Sequence, residues 1–68
     1  MTLSARNHLK GTIEEIQFGD VLAHVTLRTS DGVIESVITR RSAEEMGLKA
    51  GDAVRAVVKA TEVMLSKP

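Results

Sequence analysis

Cysteine, tryptophan and tyrosine are absent from these 68 residues, and phenylalanine and proline occur once each. Without cysteine there is no disulfide framework, no thiolate nucleophile and no sulfur ligand for zinc. With a single aromatic ring, the stacking platform on which single-strand nucleic-acid modules hold bases is missing. Nine Lys and Arg balance nine Asp and Glu, so the chain carries no net field to attract a polyanionic backbone, and no nucleic-acid partner is expected. No apolar run approaches the ~20 residues of a membrane helix, and the first twenty positions lack a signal-peptide core. The chain is therefore expected to be soluble and cytoplasmic, with no membrane partner. The two histidines, His8 and His24, have no evident paired carboxylate and cannot by themselves build a catalytic dyad or a metal site. No enzyme, no direct metal ligand and no organic cofactor are expected.

What remains is a core made of Val, Ile, Leu, Ala and Met in one domain spanning residues 1–68. A domain this small buries only about 60% of the surface its unfolded chain exposes. Such a core rarely supplies more than about 3–5 kcal/mol, and metal binding or self-association commonly makes up the rest. With metal ligands lacking, self-association is expected.

The hydrophobic pattern is mostly of period two. Val21, Ala23, Val25 and Leu27 alternate with Leu22, His24, Thr26 and Arg28, which predicts a half-buried strand. Ahead of it, Leu9, Gly11 and Ile13 share one parity while Ile16 and Phe18 take the other, so a bulge near Glu14 is needed to keep the inward set aligned. Gly19-Asp20 and Asp31-Gly32 mark two hairpin turns. Val33 to Thr39 reads as a third strand with apolar residues on both faces, one for the core and one for a partner chain. Ser42-Ala43-Glu44-Glu45 reads as a capping box opening a short helix, with Gly47 in the left-handed region ending it and Leu48 packing back. Ala53 to Ala60 predicts a fourth strand and Val63-Met64-Leu65 a short fifth. Five strands with one helical turn between the third and fourth describe an all-β, OB-like partly open barrel; an SH3-like barrel fits the same pattern.

Ser4, Arg6, Asn7, Thr39, Ser42 and the Lys59-Ala60 pair gather donors without matching acceptors. Arg and Lys only donate, and the hydroxyl and amide groups add neutral donors, so the natural guest is a small oxyanion. A serine at a helix N-cap adds free N–H groups and the positive end of the dipole. Taken one at a time, these residues have plainer readings. Ser42 is a cap, Arg40-Arg41 a solvated pair, Lys59 an outward strand residue over apolar surface, and His24 a surface or interface histidine.

Four segments decide between these readings. Ser4-Ala5-Arg6-Asn7-His8-Leu9-Lys10-Gly11, Ile38-Thr39-Arg40-Arg41-Ser42-Ala43, Met46-Gly47-Leu48-Lys49-Ala50-Gly51 and Val58-Lys59-Ala60-Thr61-Glu62-Val63-Met64 together resemble the molbindins. These are stand-alone Mop domains related to the TOBE domains of molybdate transporters and regulators. The resemblance covers nearly the whole chain. It implies a hexamer arranged as a trimer of dimers, binding molybdate or tungstate between subunits, with an N-terminal strand exchanged. It implies that Ser4 and Arg6 donate to the oxyanion with Asn7 nearby, and that Thr39, Ser42, Lys59 and the main chain around Ala60 complete the pocket. The function implied is intracellular storage or homeostasis of the anion without catalysis. The alternative is a regulatory or transport-associated module that senses molybdate through a partner protein.

Overall fold

A computed structural model describes residues 6–68, so Ser4 lies outside the described residues. The chain forms β1 (Asn7–Phe18), β2 (Leu22–Thr29), β3 (Gly32–Thr39), helix α1 (Arg40–Glu45), β4 (Ala53–Val58) and a single 3-10 turn over Ala60–Glu62. The four strands make one antiparallel sheet in the order β3-β2-β1-β4. The expected fifth strand is not formed. Val63 to Pro68 carry no regular structure, and the sheet stays open between β3 and β4 instead of closing into a five-stranded barrel. The physical reason is local: Lys59 leaves the ladder, the 3-10 turn redirects the chain, and the three apolar residues that follow form no strand pair among the described residues.

β1 is the backbone of the sheet. Its first half pairs with β4, from Asn7↔Val58 to Thr12↔Ala53. Its second half pairs with β2, and the register shifts between Ile13 and Glu15. That shift is the bulge which the change of parity demanded. It sets both Ile13 and Ile16 toward the core and bends the strand. The core is thin, with Ile13, Val25 and Leu27 buried and Ile16, Ile34, Ile38, Leu48, Val54 and Ala56 packed around them. Val21, expected in the inward set, lies in the turn before β2 and is 72% exposed.

Gly11 sits where β1 passes from one partner strand to the other. A Cβ there would stand 3.0 Å from the Arg28 carbonyl oxygen and 3.4 Å from the Thr29 methyl. The nearer atom is backbone and cannot rotate away. Gly11→Ala is therefore expected to lower stability by about 1–3 kcal/mol through overpacking. The measurement is a fall in the urea midpoint at unchanged slope and fixed protein concentration.

α1 opens three residues earlier than the capping box predicted. Thr39, not Ser42, is the N-cap, and its Oγ1 accepts from the Ser42 N–H at 3.1 Å. Glu45 turns outward to Arg41 at 3.1 Å instead of reaching back. The extra residues are recruited by a tertiary contact, the Arg40 N–H donating to the Val21 carbonyl at 2.8 Å. The C-terminus behaves as read. Gly47 adopts φ +61, and its N–H and that of Leu48 donate to Glu44 and Ala43 at 3.0 and 3.1 Å, the paired bonds of a Schellman motif.

Candidate functional site

The described donors fall into two groups. The first lies where β1 begins and β4 ends. Asn7 is the first residue of β1 and is paired with Val58, with Arg6 just before it. Lys59 follows Val58 in extended conformation as the residue that leads into the 3-10 turn, and Ala60 is the first residue of that turn. All four are exposed. Neither Arg6 nor Lys59 forms an ion pair among the described residues, whereas Arg28, Arg40 and Arg41 each hold a glutamate. Two cations and the N–H that opens the turn thus face solvent without carboxylate partners.

The second group lies at the far end of the sheet. Thr39 closes β3, paired with Leu22, and its hydroxyl donates to Ser42 Oγ at 2.8 Å while accepting from the Ser42 N–H. With its lone pair engaged by Thr39, the Ser42 hydroxyl keeps its own proton for an outside acceptor. The Ser42 proton is thus left free by a different route from capping. The dipole contributes less than expected, since α1 has six residues and two of its first donors are already taken by Val21 and Thr39.

Arg40 is not the solvated residue that its place beside Arg41 suggested. Its guanidinium carbon lies 5.6 Å from the centroid of the Phe18 ring, Nη1 donates to the Gly19 carbonyl at 3.2 Å, and Nε meets Glu44 at 3.5 Å. It ties the β1–β2 turn to α1 and so fixes where Thr39 and Ser42 stand. Nothing in the sequence beyond one aromatic residue near a turn signals this. Around the same end stand exposed apolar side chains, Phe18, Val21, Leu22 and Val37. Leu22 and Val37 share the outer face of the sheet with Thr39. Exposed apolar side chains beside polar donors have the character of an interaction surface.

The two groups do not meet within one chain. β1 has twelve residues, which at about 3.3 Å per residue is roughly 35 Å of path between the Asn7 end and the Phe18 end. Each group alone offers too few donors to replace the hydration of a dianion, and each is open to water. Brought together from two chains, they supply two cations, two hydroxyls, an amide and main-chain N–H groups. Among the described residues no three His, Cys, Asp or Glu side chains cluster to hold a metal ion, and no helix is long and apolar enough to cross a membrane.

The TOBE domain family model matches residues 3–65. Molybdenum-pterin-binding protein 2 of Clostridium pasteurianum is 46% identical over 66 residues, covering 96% of this chain and 97% of that protein. The solved structure of a molybdate-binding protein from Sporomusa ovata matches with a TM-score of 0.93 at 37% identity, covering 98% of this chain and 100% of that one. The cytoplasmic molybdate-binding protein ModG, solved with molybdate bound, matches with a TM-score of 0.90 at 45% identity, over 100% of this chain and 49% of its own.

Proposed function

The chain belongs to the TOBE domain family, and on that premise we propose that it binds molybdate or tungstate, intact and without chemical change, in a site shared between two copies of itself. The observation that carries this reading is the division of the donors, with Arg6, Asn7, Lys59 and Ala60 at one end of β1 and Thr39 and Ser42 at the other. A second copy supplies the missing half, and its approach excludes the water that would otherwise compete for the anion. Arg6 and Lys59 offset the two negative charges, which limits the cost of desolvating them. Ser42 gives a neutral donor to the tetrahedron, with Thr39 beside it holding its hydroxyl in place, and Ser4, with Asn7 nearby, completes the set. The binding carried by the named relatives points the same way, to retention and release rather than conversion. A site that binds without chemistry suits storage or buffering of the anion, and the cytoplasmic setting is taken from the similar ModG, described as a cytoplasmic molybdate-binding protein.

We infer further that the assembly is a hexamer, a trimer of dimers. The open sheet, the thin core and the exposed apolar rim all favour a larger assembly over a lone chain. Native mass spectrometry with and without molybdate tests both statements in one experiment. The expected result is an oligomer, six chains in the full assembly, that gains mass in whole molybdate units. A folded monomer that binds one molybdate per chain overturns the shared site.

A further inference from the structure

Resting on the reading of an anion site shared between copies, we propose that Thr39 is a specificity-determining residue, which through Ser42 restricts that site to tetrahedral oxyanions carrying no O–H of their own. The observation is a pair of hydroxyls locked to each other. Thr39 Oγ1 accepts from the Ser42 N–H at 3.1 Å and gives its own proton to Ser42 Oγ at 2.8 Å. Ser42 is half-buried, and its hydroxyl donates to no group among the described residues. An unrestrained hydroxyl rotates to donate or accept as its ligand requires, but this one already holds a proton from Thr39 on its oxygen. It is left with one role, that of donor.

The rest of the site has the same polarity. Arg6, Lys59 and the Ala60 N–H donate and cannot accept. Glu44 and Glu45, the carboxylates that follow Ser42 along α1, are held by Arg40 and Arg41 at 3.5 and 3.1 Å. An oxyanion whose oxygens are all bare, as in molybdate and tungstate, satisfies every one of these donors. An oxyanion with an O–H sets a donor against a donor. Both groups are then desolvated and unpaired, and leaving buried polar groups unpaired is the means by which a polar site discriminates most strongly.

Protonation and size can be tested apart. Chromate and hydrogenarsenate are both tetrahedral dianions at mildly alkaline pH and are of nearly the same size, so the O–H is the main difference between them. With no cysteine in the chain, chromate finds no thiol to oxidise. Each anion is titrated against labelled molybdate on the assembled protein. The expected result is displacement by chromate at a concentration roughly ten- to a hundred-fold lower than by arsenate.

The role of Thr39 is read from the ratio of the two. In Thr39→Asp the carboxylate still caps α1, but it only accepts, so the Ser42 hydroxyl donates to it and turns its lone pairs toward the anion. The added negative charge weakens both dianions alike. The ratio is expected to collapse toward one, and Thr39→Ser, which keeps the hydroxyl, to bring it back. Equal displacement by the two anions in the wild-type oligomer means that an acceptor such as Asn7 Oδ1 or Glu62 faces the ligand, and overturns the proposal while the shared site stands. A ratio that survives in Thr39→Asp overturns the part given to Thr39. A folded monomer that binds molybdate in native mass spectrometry removes the shared site and this inference with it.

Discussion

Lys59→Met is expected to weaken molybdate binding roughly 30-fold or more while the assembly stays intact. Methionine keeps most of the length and apolar stem of the side chain, so whatever Lys59 covers stays covered. In the proposed shared site, what is lost is one of two cations facing a dianion that the second chain would cut off from water. Removing one partner of such a desolvated charge pair typically costs about 2–5 kcal/mol, and each 1.4 kcal/mol is about tenfold in affinity. Lys49→Met is the control. Lys49 is exposed in the turn before β4 and lies in neither donor group, and a solvated charge there is screened. Equilibrium dialysis decides the matter: unchanged binding in Lys59→Met, with the oligomer preserved, makes Lys59 a surface residue and removes the first half-site.

Much of the fold was legible because local chemistry and the tertiary structure agree. The parity change between Ile13 and Ile16 required a bulge and Glu14 provides it. Gly47 takes the left-handed conformation its place predicted, and Leu48 packs on the core. The misreadings occur where a distant contact overrides a local signal. Ser42-x-x-Glu45 and Thr39-x-x-Ser42 are both plausible caps, and the choice between them is made by the Val21 carbonyl accepting from Arg40, a contact that spacing along the chain does not reveal. Val63-Met64-Leu65 has the composition of a strand, but a strand exists only with a partner, and none is supplied among the described residues.

The candidate site shows the same division. Its residue types could be read directly, because donors without acceptors define a chemistry whatever the fold. Its arrangement could not. That Asn7 pairs with Val58 while Leu22 pairs with Thr39 is a matter of register, and register places the two donor groups at opposite ends of β1. Arg40, which positions the second group, was hidden because its partners Phe18 and Gly19 come from the other side of a hairpin.

Mixing two crippled chains is expected to restore binding that neither has alone. One carries Lys59→Met; the other carries Thr39→Val with Ser42→Ala, which removes both hydroxyls of the second group. The latter pair gives up the cap of α1, worth about 1 kcal/mol, so its folding and assembly are checked first by circular dichroism and light scattering. If each anion site takes Lys59 from one chain and Thr39 with Ser42 from another, random reassembly makes about one quarter of the sites from two intact halves. The remaining sites lack one half or both. Dialysis against molybdate then shows tight binding at about one quarter of wild-type capacity, and none in either parent at the same concentration. A site formed within a single chain cannot behave this way, because every chain in the mixture carries one defect or the other. Mixed assemblies that bind no better than their parents would show that the two donor groups serve separate purposes.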